Sequence, residues 1–143
     1  MAGSGLGGKY ALIGMAESDV GIVPDKSPRE LCVQVTLDAV RDAGLTLSDV
    51  DGLITCNAFA EPIMYHAESV AEYLGWEPRH CVTVNTGGGT TFMALNMAAA
   101  AIEAGMADTI VVAMADSLRS FMTREQAMVV QSSSGHPHYE QPY

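Results

Sequence analysis

The chain has 143 residues, of which 17 are acidic and 7 basic, giving a formal net charge of −10. That length holds one domain with a real core and is too short for two ordinary ones. With no cluster of Lys or Arg, neither a sequence-independent nucleic-acid grip nor an anionic-membrane patch is expected, because both need concentrated positive charge.

Residues 1–9, "MAGSGLGGK", read as a flexible glycine-rich tail without the apolar core of a signal peptide. The apolar stretches elsewhere break off well short of a membrane span, so a cytoplasmic location is expected. "YALIGM" (Tyr10 to Met15) is a short apolar run that suits a strand buried on both faces. In "SPRELCVQVTLDAVRDAGL", Ser27 with Glu30 fits a capping box, Pro28 holds the first helical position and Gly44 lies where a C-terminal cap belongs. The spacing gathers Glu30, Gln34, Asp38, Arg41 and Asp42 on one side, leaving the apolar side to cover a sheet. A second strand is expected around Gly52 to Cys56. A second helix follows in "EPIMYHAESVAEYLGW", with Pro62 near its start and Gly75 at its stop. "HCVTVN" is the third strand, a helix runs from Thr90 to the stop at Gly105, and "DTIVVAMA" (Asp108 to Ala115) is the fourth strand.

The order β-α-β-α-β-α-β over residues 10–115 implies an α/β domain, with a mostly parallel sheet, right-handed crossovers and helices on its faces. From residue 116 to 143 the pattern is loop-like, apart from a short helix across Thr123 to Val130 and a polar turn at Ser132 to Pro137. So long an unstructured end is unusual in a single-domain enzyme, and more polypeptide or a partner is expected to complete the unit.

"VNTGGGTTFMALNMAAAAIEAG" sets Gly87, Gly88 and Gly89 directly before a helix whose only polar residues are its threonines, Asn96 and Glu103. A helix without a solvent face should be enclosed on most sides, and its alanines let another helix come close. The glycines allow left-handed dihedrals and let a ligand reach the free N–H groups of the first turn, where the helix dipole favours negative charge. Two readings stay open from spacing alone: a tight strand-to-helix turn, or a cradle for an oxyanion or phosphate. A P-loop is excluded because no Lys follows the last glycine, and "GGGTTF" lacks the final glycine of a dinucleotide-binding turn.

Taken together, "YALIGMAESDVG", "SPRELCVQVTLDAVRDAGLTLSDVDGLIT", "AEYLGW" and "VNTGGGTTFMALNMAAAAIEAGMADTIVVAMADSLRS" resemble the N-terminal half of thiolase-like proteins of the sterol-carrier-protein, lipid-transfer type. The likeness runs over residues 10–143. It implies two similar halves packed in five layers around buried helices, dimerisation through the first half, and a whole protein more than twice this length. It also implies a nucleophilic cysteine at the start of the central helix, where dipole and amides lower a thiol's pKa. On that pattern Gly88 takes the nucleophile's place. The resemblance thus implies a substrate site of Asn85, Gly87, Gly88, Gly89, Thr90 and Thr91 that keeps the amides and lacks the sulfur.

No other cysteine substitutes. Cys32 falls mid-helix and Cys81 opens a strand, both as core residues, whereas Cys56 at a strand's end has a place from which to line a pocket. The three form no C-x-x-C pair, so neither zinc nor disulfides are indicated. His66 and His80 are isolated and read as solvated or hydrogen-bonded. "GHPH" resembles a thiolase motif of the C-terminal half and reads here as coincidence. His136 and His138 lack a third metal ligand, and Tyr139 and Tyr143 read as packed or exposed. No metal and no resident cofactor are expected; coenzyme A enters as the substrate's thioester.

The resemblance implies retro-aldol carbon–carbon cleavage of an acyl-CoA without a cysteine nucleophile, in a homodimer beside an OB-fold partner protein. Acetyl-CoA acetyltransferase-type acyl transfer is the alternative enzyme, and a non-catalytic dimerisation or assembly subunit is the alternative outside catalysis.

Overall fold

The computed structural model describes residues 5–133, and their side chains as far as Val130. Three strands, β1 (Gly52–Thr55), β2 (His80–Thr83) and β3 (Ile110–Ala113), form a wholly parallel sheet in the order β2-β1-β3. The central strand is in register with both neighbours, Thr55 standing beside Thr83 on one side and Ala113 on the other. Helices α1 (Pro28–Asp42), α2 (His66–Tyr73) and α3 (Thr90–Glu103) alternate with the strands, and two shorter helices follow, α4 (Leu118–Phe121) and α5 (Arg124–Ser133).

Alternation along β1 decides which helix covers which face. Leu53 points into a cluster with Cys32 and Val35 of α1 and with Ala67, Val70 and Ala71 of α2. Ile54 points the other way, into Val84 and into Ala94 and Ala98 of α3. The result is three layers, α1 and α2 on one face and α3 on the other. Because the crossovers are parallel, the N-termini of the three helices come to the edge where the strands end.

α1 forms as its sequence dictates. Ser27 accepts from the Glu30 amide while the Glu30 carboxylate accepts from the Ser27 amide at 2.8 Å, closing the capping box ahead of Pro28. α2 starts later than Pro62 suggests. It begins at His66, with Tyr65 in the capping position and no side-chain cap, because the preceding stretch is held elsewhere: Asp116 accepts the Phe59 amide at 2.7 Å and Glu61 pairs with Arg29 at 3.3 Å.

The first expected strand is not one. Residues 10–15 make no ladder hydrogen bonds, and Leu12 and Met15 are 81% and 80% exposed. The segment is instead pressed onto the end of α1. The Met15 amide donates to Asp42 at 2.9 Å, and a Cβ on Gly14 would lie 2.3 Å from the Ala39 carbonyl oxygen, a contact no side chain survives. Tyr10 and Lys9 both reach Glu103 at the far end of α3, Lys9 at 2.7 Å. Residues 1–4 and 134–143 lie outside the described residues, and with them fall the "GHPH" stretch with His136 and His138, and Tyr139 and Tyr143.

Candidate functional site

The glycine turn leaves β2 and enters α3 at the carboxyl edge of the sheet, the edge at which open parallel sheets bind their ligands. Its own side chains tie it. Asn85 Oδ1 accepts from the Gly87 amide at 3.2 Å, and Thr90 Oγ1 accepts from the Thr86 amide at 2.9 Å while donating to the Gly87 carbonyl at 2.6 Å. The Thr90 amide also donates to the Gly87 carbonyl, at 3.1 Å. Of the six site residues expected from the sequence, Asn85 and Thr90 therefore shape the turn. The amides of Gly88, Gly89, Thr91 and Phe92 are used by none of these bonds. They are what a ligand would meet.

The glycines are not equivalent. Gly87 has φ +66°, a left-handed conformation that side chains disfavour. Gly88 has no such need, and a Cβ built on it meets no heavy atom within 4 Å; Gly89, with φ −89°, has only the Thr86 hydroxyl at 4.0 Å. Backbone and packing would both admit a cysteine at position 88. The missing sulfur is a feature of the sequence alone.

Enclosure of the helix is not achieved among the described residues. Thr90, Ala94, Ala98 and Ala101 form its buried row, but Phe92 on the opposite side is 75% exposed and Met93 is also exposed. Asn85 through Gly89 are exposed as well, and only Thr90 of the site faces inward. The apolar character of the outer side, which the sequence shows plainly, has no counterpart among the described residues.

Next to the turn, Thr91 Oγ1 donates to the Met114 thioether sulfur Sδ at 3.5 Å, which seats the first turn of α3 over the end of β3. Asp116 follows, accepting the amides of Phe59, Ala60 and Ser117 and so closing the loop after β1 onto the end of β3. Cys56 lies in that loop, half-buried, and burial followed by the Asp116 carboxylate pushes its thiol up. Burial, with Cys56 adding to it, pushes Cys32 up to about 12, and burial with Glu68 pushes Cys81 up to about 11. None of the three has the thiolate character of a nucleophile. Among the described residues no three of His, Cys, Asp or Glu converge as a metal site requires, and no helix is long and apolar enough to cross a membrane.

Of the two roles expected for His66, solvated or hydrogen-bonded, the structure shows the second. His66 is wholly buried, with Nδ1 3.0 Å from the Thr55 hydroxyl. Burial lowers its pKa first of all; the carboxylates of Glu61 and Asp116 raise it and the Arg29 guanidinium lowers it, with a net downward shift. The unfolded chain then takes up the proton before the native one does, so stability is complete above the unfolded value of about 6.5 and is lost as pH falls below it. Urea unfolding between pH 8 and pH 5 checks this. His66→Gln is expected to flatten the part of the slope nearest pH 6. The sequence signal lay in Ala67, Val70 and Ala71, an apolar row that turns the start of α2 toward Thr55.

No family model matches the chain. It is 32% identical over 119 residues to the 17-hydroxy-3-oxo-4-pregnene-20-carboxyl-CoA lyase of Mycobacterium tuberculosis, and 32% over 106 residues to the steroid side-chain-cleaving aldolase of Thermomonospora curvata. These matches take in 82% and 74% of this chain but only 30% and 26% of those proteins, so the chain spans under a third of the length of either. Among solved structures, the Ltp2-ChsH2(DUF35) aldolase is similar with a TM-score of 0.60 and 30% identity, over 77% of this chain and 29% of that one. The 3-oxoacyl-[acyl-carrier-protein] synthase III of Aquifex aeolicus VF5 is similar with a TM-score of 0.58 and 20% identity, over 73% of this chain and 35% of that one, a likeness of fold alone. The parallel sheet, its flanking helices and the glycine-led α3 are together a thiolase-like half fold.

Proposed function

We propose that this chain is the N-terminal part of a thiolase-like protein that cleaves a carbon–carbon bond of an acyl-CoA by a retro-aldol reaction, without a cysteine nucleophile. The observation that carries the reading is the 32% identity over 119 residues to a protein named as an acyl-CoA lyase, read together with glycine at position 88. In such a cleavage a base takes the proton of the β-hydroxyl, the new carbonyl forms there, and the electrons of the broken bond pass to the α-carbon. The thioester oxygen gains negative charge as the enolate, and a proton then returns to the α-carbon. No acyl-enzyme is needed, and amides aimed at that oxygen supply the stabilisation. The amides of Gly88, Gly89 and Thr91, at the head of α3, suit this role. Acid and base come from a second half of the fold.

The open side of α3 supports an assembly of at least two copies, because an apolar face led by Phe92 and Met93 gains by leaving water. Sedimentation at micromolar concentration is expected to show a dimer, and a stable, well-folded monomer would count against it. An OB-fold protein is the further partner this reading includes.

Acetyl-CoA titrated into the 15N-labelled chain tests the site itself. Shifts confined to the amides of residues 87–92 are expected, and a flat titration would leave a non-catalytic assembly subunit as the better reading. Iodoacetamide separates the aldolase from an acyltransferase. With thiols as raised as those of Cys32 and Cys81, cleavage activity of the assembled protein is expected to survive alkylation, whereas acyl transfer through a cysteine would be abolished.

A further inference from the structure

The sequence holds one Asp–Gly pair, Asp51–Gly52, and no Asn–Gly pair. In an Asp–Gly pair the backbone nitrogen attacks the preceding carboxyl with unusual ease, because glycine has no side chain to hinder the approach and the most backbone freedom to reach it. The fold nevertheless demands both residues. A Cβ on Gly52 would lie 2.6 Å from Ile110 Cγ1 and 3.3 Å from Ala107 Cβ, so a side chain at the start of β1 has no room. Asp51 Oδ1 accepts the Asp108 and Thr109 amides at 2.8 and 2.9 Å and Oδ2 accepts from Arg79 at 2.8 Å, which ties the start of β1 to the start of β3. A chemically labile pair therefore heads the middle strand of the sheet.

In the folded chain both reacting groups are held. The Gly52 amide donates to the Thr109 carbonyl at 3.0 Å, and Gly52 itself is buried as the first residue of the ladder, beside His80 on one side and Ile110 on the other. The carboxyl is drawn toward its own three donors. Ring closure would bring the Gly52 nitrogen onto Asp51 Cγ and break these bonds together, so the start of β1 must open first. The leaving oxygen adds a second restraint, since it departs as water only from the protonated acid. Burial raises the Asp51 carboxyl, but the Thr109 and Asp108 amides and Arg79 outweigh it and keep the group ionised.

We propose that Asp51–Gly52 is a latent isomerisation site, silenced by the native sheet and exposed when β1 opens, and that the isomerised chain cannot rebuild the sheet. The Gly52 nitrogen bonds to Asp51 Cγ, the amide proton and the acid's hydroxyl leave as one water, and a succinimide remains. One water then opens the ring. Addition at the side-chain carbonyl restores aspartate, whereas addition at the main-chain carbonyl breaks the old peptide bond and leaves isoaspartate, a one-way chemical loss from the unfolded state. The backbone now runs through Cβ, one carbon longer between residues 51 and 52. The carbonyl that accepted from the His80 amide has become the free carboxylate, and the group that held the Asp108 and Thr109 amides has become the peptide link. β1 then loses its native register with β2 and β3, and with it the placing of Leu53 and Ile54 on their two faces.

The test is incubation of the chain at pH 6 and 37 °C, with and without enough guanidinium chloride to unfold it. Electron-transfer peptide mapping reads isoaspartate at position 51, and dilution followed by circular dichroism reads refolding. Isoaspartate is expected to accumulate at least about tenfold faster in denaturant, as it must at a site that reacts only through opening. The fraction of chains that fails to refold is expected to grow in step with it. Asp49, followed by the β-branched Val50, is expected to stay unconverted under both conditions. Gly52→Ala in denaturant is expected to lose most of the isoaspartate, a result that does not depend on whether that variant folds. Equal rates with and without denaturant overturn the proposal. So do the absence of isoaspartate from the unfolded chain and the return of native circular dichroism in isoaspartyl chains after dilution.

Discussion

Replacing Asp51 by alanine is expected to destabilise the fold by about 3 kcal/mol, more than any other single loss of a polar group described here. Asp51 stands where all three strands begin. Its Oδ1 accepts the amides of Asp108 and Thr109 at 2.8 and 2.9 Å, and its Oδ2 accepts from Arg79 at 2.8 Å. Its own carbonyl accepts from the His80 amide at 3.0 Å, so one residue sets the start of β2 with its backbone and the start of β3 with its side chain. The two amides carry most of the effect. Arg79 is more than half exposed, and an ion pair in water contributes little. For a domain of this size the loss corresponds to a fall in melting temperature of about 6–12 °C. Asp51→Asn keeps an acceptor at Oδ1 and is expected to lose roughly half as much.

The pH dependence of that difference supplies a second check. Burial pushes the Asp51 carboxyl up, but the Thr109 and Asp108 amides, Arg79 and its own amide together hold it below the usual carboxylate range. A carboxyl lowered on folding contributes stability that is present above the unfolded value of about 3.9 and is lost as pH falls through the folded one. The gap between the native chain and Asp51→Ala is expected to stay level from pH 7 to pH 5 and to close below pH 4. A gap that widened on acidification would mean that the carboxylate is not the group holding the strands.

What the residues reveal in order and what only their meeting reveals divide along a physical line. α1 was legible because Ser27, Pro28, Glu30 and Gly44 act on their own backbone within a few residues, and β1 to β3 because their apolar runs have the length of strands. Residues 10–15 carry the same apolar signal, yet a run of apolar side chains states only what a segment could bury and names no partner strand. Pro62 misled in a similar way. Its fixed φ suits a helix start, but Asp116 and Glu61 hold the loop and delay α2 to His66. Asp51 passed unnoticed because "SDVDG" has the composition of a turn, while the amides it captures lie nearly sixty residues away. At the candidate site the glycine-led helix start was visible from spacing; that Asn85 and Thr90 are spent on the turn was not, because their partners are backbone atoms of the turn itself.

Gly87 and Gly88 are expected to separate when each is changed to alanine, the first through the fold and the second through the ligand. At Gly87 a side chain must adopt φ +66°, and alanine there is expected to lower stability by about 1 kcal/mol. The turn bonds that converge on the Gly87 carbonyl would loosen with it. At Gly88 φ is not positive and the space is open, so alanine removes backbone freedom from the unfolded chain and is expected to leave the melting temperature level or slightly higher. The same methyl group stands where the proposed thioester oxygen must approach the amides. Acetyl-CoA affinity is expected to fall at least about tenfold, the equivalent of one obstructed charge-assisted hydrogen bond. Differential scanning calorimetry and amide shift titrations on the two variants provide both readings. If Gly88→Ala bound acetyl-CoA as tightly as the native chain, the bare backbone at that position would have no part in holding a thioester, and the turn would be a connection between β2 and α3 and nothing more.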